Sequence, residues 1–242
     1  MNSKERRIKS WEQILKKHND GLSFLDFYLP KVLNKSHTGL EIGGPSHRIF
    51  KRVYDIGMTI DGLNHENNIW QGNIKQSHYI NGCIQHFGDA LELDSHITGY
   101  DFILASHVLE HIANPLKALF HWKERIKKNG FIFLVLPRKE KCFDHRRPIT
   151  PINVLIGKYH KDVDESDLSS LNEILALHDL GMDKPAGTFK QFKQRSLDNY
   201  TNRCLHHHVF DLNLLERIAK FIDMDVVCKD TKGNGHYIIF KN

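Results

Sequence analysis

Cysteine is scarce in this chain: four in 242 residues, at Cys83, Cys142, Cys204 and Cys228, with no C-x-x-C pair. That scatter suits reduced thiols and speaks against a disulfide framework or a zinc knuckle. Long apolar runs are missing too. The longest clean one, Phe131 to Leu136, falls far short of the roughly 20 residues that cross a bilayer. The charged start, Met1-Asn2-Ser3-Lys4-Glu5-Arg6-Arg7, lacks the apolar segment of a secretory signal. The reading is a cytoplasmic chain with no membrane span. Internal repeats and low-complexity tracts are also absent. The net charge of +5 gives mild attraction to anions. Without a clustered basic face or an added binding domain it disfavours nucleic acid as a partner. The oligomeric state is left open.

What is present begins with histidine, 17 of them, supplying bases, ligands and pH sensitivity. Ile8, Trp11 and Leu15 recur at helical spacing in residues 3–18, among lysines and arginines on the other faces. A second apolar cluster fills 22–34, interrupted by Pro30. Residues 1–36 are therefore read as an N-terminal helical cap. From residue 38 strand and helix alternate, with strands expected near 38–42, 56–61, 83–87, 101–106 and 131–136. Leu109, Ile112, Leu116, Leu119, Phe120 and Ile126 mark the helix between the last two. Such alternation implies a parallel sheet covered on both faces, with the loops that bind ligands along one edge. Residues 138–204 break the pattern and read as an insertion, a lid or substrate platform, with a helix near 167–178. Asp211 is placed to cap a helix over 212–222, and two strands near 226–228 and 237–240 close the chain around Gly233-Asn234-Gly235.

The stretch that organises this pattern is Thr38-Gly39-Leu40-Glu41-Ile42-Gly43-Gly44-Pro45-Ser46. A short apolar strand ending in two glycines brings backbone N–H groups close to a ligand, because glycine has no Cβ in the way. Pro45 is preset for a first helical turn. Asp61 follows 18 residues after Gly43, near the offset at which an acid meets a ribose hydroxyl. Next come Phe87-Gly88-Asp89-Ala90-Leu91, then Tyr100 to His111, then Asn129 to Pro137. In this order and with these gaps the set resembles the class I S-adenosylmethionine-dependent methyltransferases, especially their small-molecule "type 11" branch. The likeness covers residues 37 to 137 well and the last forty weakly.

That resemblance implies a Rossmann-like α/β fold over residues 37–242: a mostly parallel seven-stranded sheet, helices on both faces, an antiparallel last strand, and a helical insertion after strand 5. It implies S-adenosyl-L-methionine as cofactor, and that the apolar cluster at 22–34 could be a lid over the cofactor pocket. Glu41 would organise the turn, through backbone amides or the cofactor's amino group. Gly43 and Gly44, followed by Pro45, would let the chain pass the methionine moiety and ribose, and Asp61 would accept from the ribose hydroxyls. Asp89, with Ala90 and Leu91, would sit at the adenine edge, and Ser106 and His107 near the sulfonium. Glu41, Asp61 and Asp89 should then share one hollow. The adjacent glycines depart from the family's Gly-x-Gly.

The histidines leave the acceptor side open to several readings. His107-Val108-Leu109-Glu110-His111 matches the H-x-x-E-H of inverted zinc proteases, but His107 directly follows a strand, and that reading is set aside. A hydroxyl acceptor profits from a histidine base oriented by a carboxylate. The candidates are His145 with Asp144, or His207 or His208 with Asp211. Arg146 and Arg147 could clamp a phosphate or carboxylate, with His111 also facing the substrate. Alternatively His207, His208 and Asp211 hold a divalent metal, or His206 to His208 form a surface turn. The function expected is methyl transfer to a small polar acceptor, such as a hydroxyl of a sugar or nucleotide-sugar, with an anionic acceptor the one the arginine clamp would suit. An RNA methyltransferase and a non-catalytic binding module on a degenerate methyltransferase fold are the alternatives.

Overall fold

The computed structural model describes residues 32–65 and 83–242. The helix expected over 3–18, and most of the cluster at 22–34, lie outside the described residues. Seven strands form one sheet in the order β3-β2-β1-β4-β5-β7-β6. They are β1 (Thr38–Ile42), β2 (Thr59–Asn64), β3 (Gln85–Phe87), β4 (Tyr100–Ser106), β5 (Ile126–Pro137), β6 (Asp225–Lys232) and β7 (Gly235–Lys241). The pairs among β1 to β5 are parallel, and β7 runs antiparallel to both β5 and β6. The mostly parallel seven-stranded sheet with an antiparallel last strand is the architecture the sequence implied.

Alternation along the strands sends side chains to two cores. Leu40, Ile42, Leu63, Ile103, Ala105, Ile132 and Leu134 face one side. There they meet α2 (Pro115–Arg125), α3 (Ile152–His160) and α7 (Leu212–Phe221). Ile60, Phe102, Leu104, Phe133, Val135 and Ile239 face the other, against Phe50, Val53 and Tyr54 in and beside α1 (Lys51–Asp55). Helix α2 starts where it does because the Asn114 side chain accepts from the Lys117 N–H and Pro115 takes the first position. It is preceded by a 3₁₀ turn, Leu109–His111, so the expected single helix is two pieces. Asp211 caps α7 as read from sequence, its carboxylate accepting from Leu214 N–H at 2.7 Å.

Two boundaries differ in ways that matter for the site. Strand β2 lies three residues later than expected, which puts Asp61 mid-strand, opposite Leu40. No helix begins at Pro45: the Gly44–Pro45 peptide is cis and the helix starts only at Lys51. Between β5 and α7 the chain forms α3, α4 (Leu171–Leu177), α5 (Phe189–Leu197) and α6 (Asn199–Asn202). Part of this segment packs around its own small core of Ile174, Ala186, Phe192 and Leu205. Helix α4 starts later than expected, because Asp164 and Asp167 accept from Ser166 and Ser169 in two successive side-chain turns.

Candidate functional site

Ile42, Leu63 and Ala105 lie abreast at the carboxyl ends of β1, β2 and β4, where the strand order reverses. In open α/β sheets that switch point is where ligands sit. Here it opens into a hollow. Gly43, Asn64, His65, Gly88, Asp89, Ala90, His107, Val108, His111, Glu165 and Arg203 line it.

The two adjacent glycines serve separate ends. Gly43 has φ +74°, and a Cβ there would stand 2.5 Å from Val108 Cγ2. At Gly44 a Cβ would fall 2.2 Å from Glu41 Cδ. Glu41 is buried beneath the turn, accepting from Ser46 N–H at 2.8 Å and from the Tyr54 hydroxyl. Burial pushes its carboxyl above the ordinary range, against the pull of those two donors. Glu41 thus shapes the turn through the backbone and does not line the hollow.

Asp61 does not reach the hollow either. Its carboxylate accepts from Ile84 N–H at 2.8 Å and from the Tyr100 hydroxyl at 2.7 Å. The shift of β2 is the reason: Asn64 and His65, at the true end of the strand, take the place expected of Asp61. The Asn64 amide donates to Gly44 O at 3.0 Å, tying β2 to the glycine turn. Of the three acids expected to share the hollow, only Asp89 lines it. Asp89 accepts from Leu91 N–H and from Arg203 Nη2, both at 2.8 Å. Ala90 lines the hollow beside it, whereas the Leu91 side chain is buried in the core.

At the end of β4, Ser106 is buried and turned away, and His107, with φ +56°, swings to the hollow. His107 Nδ1 stands 3.4 Å from Glu110 Oε1. That carboxylate raises the imidazole above its ordinary value, against burial. His107 lies outside the 3₁₀ turn that carries Glu110 and His111, so the H-x-x-E-H residues share no helical face. His111 lines the hollow, and burial, then His206, push it down to about 3. Burial alone would raise Glu110, but His107, His111 and His206 together hold it below the usual carboxylate range.

The expected base and clamp residues are placed elsewhere. His145 pairs with Asp179 at 2.9 Å rather than with Asp144, and Arg146 reaches the same carboxylate. Arg147 is 1% exposed and bound to Asp144, Glu173 and the carbonyls of His206 and His207. It is an internal pin, and neither arginine faces the hollow. His207 and His208 are buried, with Nε2 atoms engaged by Asn199 and Glu165 and by Ala113 O respectively. Burial pushes His207 down to about 3 and His208 well below its ordinary value. Asp211 is spent on its helix cap, so the alternative metal set of His207, His208 and Asp211 is not assembled, and the three histidines are no surface turn. Two hollow residues that the sequence did not reveal come from the insertion. Glu165 accepts from Ala113 N–H at 2.9 Å, and Arg203 bridges Asp89 and Glu165.

A sheet in this order, with its glycine turn at the switch point, defines a Rossmann-like class I methyltransferase fold. Solved structures agree. A S-adenosylmethionine-dependent methyltransferase from Aquifex aeolicus superposes with TM-score 0.50 at 12% identity, over 95% of this chain and 97% of that one. A protein of Galdieria sulphuraria, provisionally named a sarcosine dimethylglycine methyltransferase, gives 0.52 at 14%, over 97% and 85%. An O-methyltransferase family 2 protein of Planctomyces limnophilus, solved with apigenin, gives 0.50 at 12%, over 100% of this chain and 62% of its own. No protein of curated function matches this sequence. Residues 10–220 match the family described as "Methyltransferase domain". The chain belongs to that family and is a S-adenosylmethionine-dependent methyltransferase. Among the described residues no helix is long and apolar enough to cross a membrane.

Proposed function

We propose that the chain holds S-adenosylmethionine in this hollow and transfers its methyl group to a hydroxyl of a small polar metabolite of the sugar or nucleotide-sugar kind. The observation that carries the reading is the make-up of the hollow's lining. A bare backbone turn, the Asn64 amide and the Asp89 carboxylate meet the imidazoles of His107 and His111, just past β4, and Glu165 and Arg203 from the insertion. The residues fit the cofactor. Gly43 borders the hollow with bare backbone, Asn64 is set to meet the ribose hydroxyls in place of Asp61, and Asp89 with Ala90 stands at the adenine edge. The bound cofactor supplies a methyl carbon on cationic sulfur, and sulfur leaves as a neutral thioether as the acceptor oxygen bonds to that carbon. His107 takes the proton the acceptor loses, held toward the hollow by Glu110. Arg146 and Arg147 do not line the hollow, so neither clamps an anionic acceptor there.

S-adenosylhomocysteine at about a hundred times its Kd should stabilise the protein by roughly 2.7 kcal/mol, about 5–10 °C in Tm for a chain of this length. No shift on folded protein would defeat the assignment of the hollow. His107→Ala should keep that shift and lose about 10²–10⁴-fold in kcat; undiminished turnover would remove His107 from the reaction. The placement of the ribose is tested separately. Asn64→Ala should raise the Kd for S-adenosylhomocysteine about fivefold, as one hydrogen bond is worth roughly 1 kcal/mol, and Asp61→Asn should leave it within about twofold. The reverse ranking in calorimetry would return Asp61 to the ligand.

A further inference from the structure

Behind His111 the chain gathers a cluster of which the transfer step uses only Glu110, and that through its contact with His107. One ligand atom each from Glu110, His111 and His206 lies within 4.8 Å of the other two. Glu110 is 1% exposed, and among the described residues neither of its oxygens has a hydrogen-bond partner; His107 at 3.4 Å is its ion-pair neighbour. A carboxylate buried in that state is costly unless a cation completes its surroundings. The supporting groups are those that fix a ligating imidazole. Asp144 Oδ2 meets His206 Nδ1 at 2.5 Å, and Arg147 in turn holds Asp144 at 2.9 Å. Carboxylate–histidine contacts of this kind set the tautomer and direct the other ring nitrogen at a metal. The rings of His111 and Phe143 lie 4.5 and 4.6 Å from that of His206, walling it in.

We propose that Glu110, His111 and His206 bind a first-row divalent cation of the zinc, cobalt or manganese kind, with an open coordination position toward the hollow. Two imidazoles and one carboxylate suit such ions, and three protein ligands leave a position for an exogenous oxygen. Bonds of about 2.0–2.2 Å ask these side chains to close by less than an ångström. The position faces the hollow because His111 lines it, which places the cation where an acceptor hydroxyl would arrive. Cation binding is measured without turnover, so it stands or falls apart from the acceptor assignment.

The test uses the full chain, stripped with chelator and titrated with Co²⁺ and Zn²⁺ by calorimetry, with cobalt absorption as a second signal. One tight site per chain is expected. His206→Ala and Glu110→Gln should each abolish it, and Asp144→Asn should weaken it about 10–100-fold, the usual effect of removing an outer-shell partner. His145→Ala, outside the cluster, should leave it intact. The Tm rise with S-adenosylhomocysteine verifies that each variant is folded. Should a variant be unfolded, added Zn²⁺ must raise the parent's Tm, and its failure to do so counts against the site. Binding no tighter than scattered surface histidines provide, or a tight site that survives both His206→Ala and Glu110→Gln, would overturn the proposal.

Discussion

Arg147→Ala is expected to lower the midpoint of thermal unfolding by about 10 °C. The guanidinium is 1% exposed and its donors go to four acceptors: Asp144, Glu173 and the carbonyls of His206 and His207. Removing it leaves a buried carboxylate without its cation and two chain carbonyls without a donor. Breaking a buried pair in this way costs about 3–5 kcal/mol, and each kcal/mol is worth about 2–4 °C in a chain of this size. Arg147→Met fills the volume but restores none of the donors, so it should recover only the packing share. The neighbouring Arg146→Ala is the control, since its side chain is half exposed against Asp179, and it should leave the midpoint unmoved. Scanning calorimetry at neutral pH reads all three. A stable Arg147→Ala with a raised KM for the acceptor would instead return Arg147 to the substrate clamp that the sequence suggested.

Gly43→Ala should raise the Kd for S-adenosylhomocysteine by at least tenfold while the protein stays folded. Two costs act together. An alanine at φ +74° occupies the left-handed region at about 1–2 kcal/mol, and its Cβ meets Val108 Cγ2 at 2.5 Å, which forces a shift costing about 1–3 kcal/mol. The chain can relieve both only by moving the turn that borders the hollow. A second change separates the two costs. Val108→Ala in the same chain removes the clashing methyl and leaves the backbone strain, so affinity should return in part. Parent-like affinity in the single variant would mean that the cofactor does not lie against this turn.

The sheet was legible because it rests on short-range pattern. The apolar runs of β4 and β5 are buried on both faces, and the Asp211 cap and the Gly233 turn carry local chemistry that a linear reading recovers. The site was legible at and shortly after the strand ends: of the residues singled out, Gly43, Asp89, Ala90, His107 and His111 line the hollow. Asp61 was misplaced because a three-residue uncertainty at a strand boundary changes whether a side chain stands at the ligand edge or within the sheet. Glu165 and Arg203 carried no local signal, as they reach the hollow through contacts with Ala113 and with Asp89, far off in sequence. The histidine and arginine clusters misled for a related reason. Arg147, His207 and His208 look like solvent-facing chemistry in a string of letters, yet the insertion buries them as the struts of its own interior. Glu110 stood inside a stretch already singled out, but only packing shows that its carboxylate is enclosed.

The link from Arg203 to Asp89 has a bearing on the order of events. Arg203 follows directly on α6 and reaches Asp89 in the loop after β3, while its other terminal nitrogen lies 3.6 Å from Glu165, which also holds Ala113 N–H ahead of α2. On the proposed placement, a nucleoside at that loop would share Asp89 with Arg203, and any sideways movement of the guanidinium would be passed to Glu165. Cofactor arrival would thereby be felt at Ala113, in the stretch of chain that follows His111.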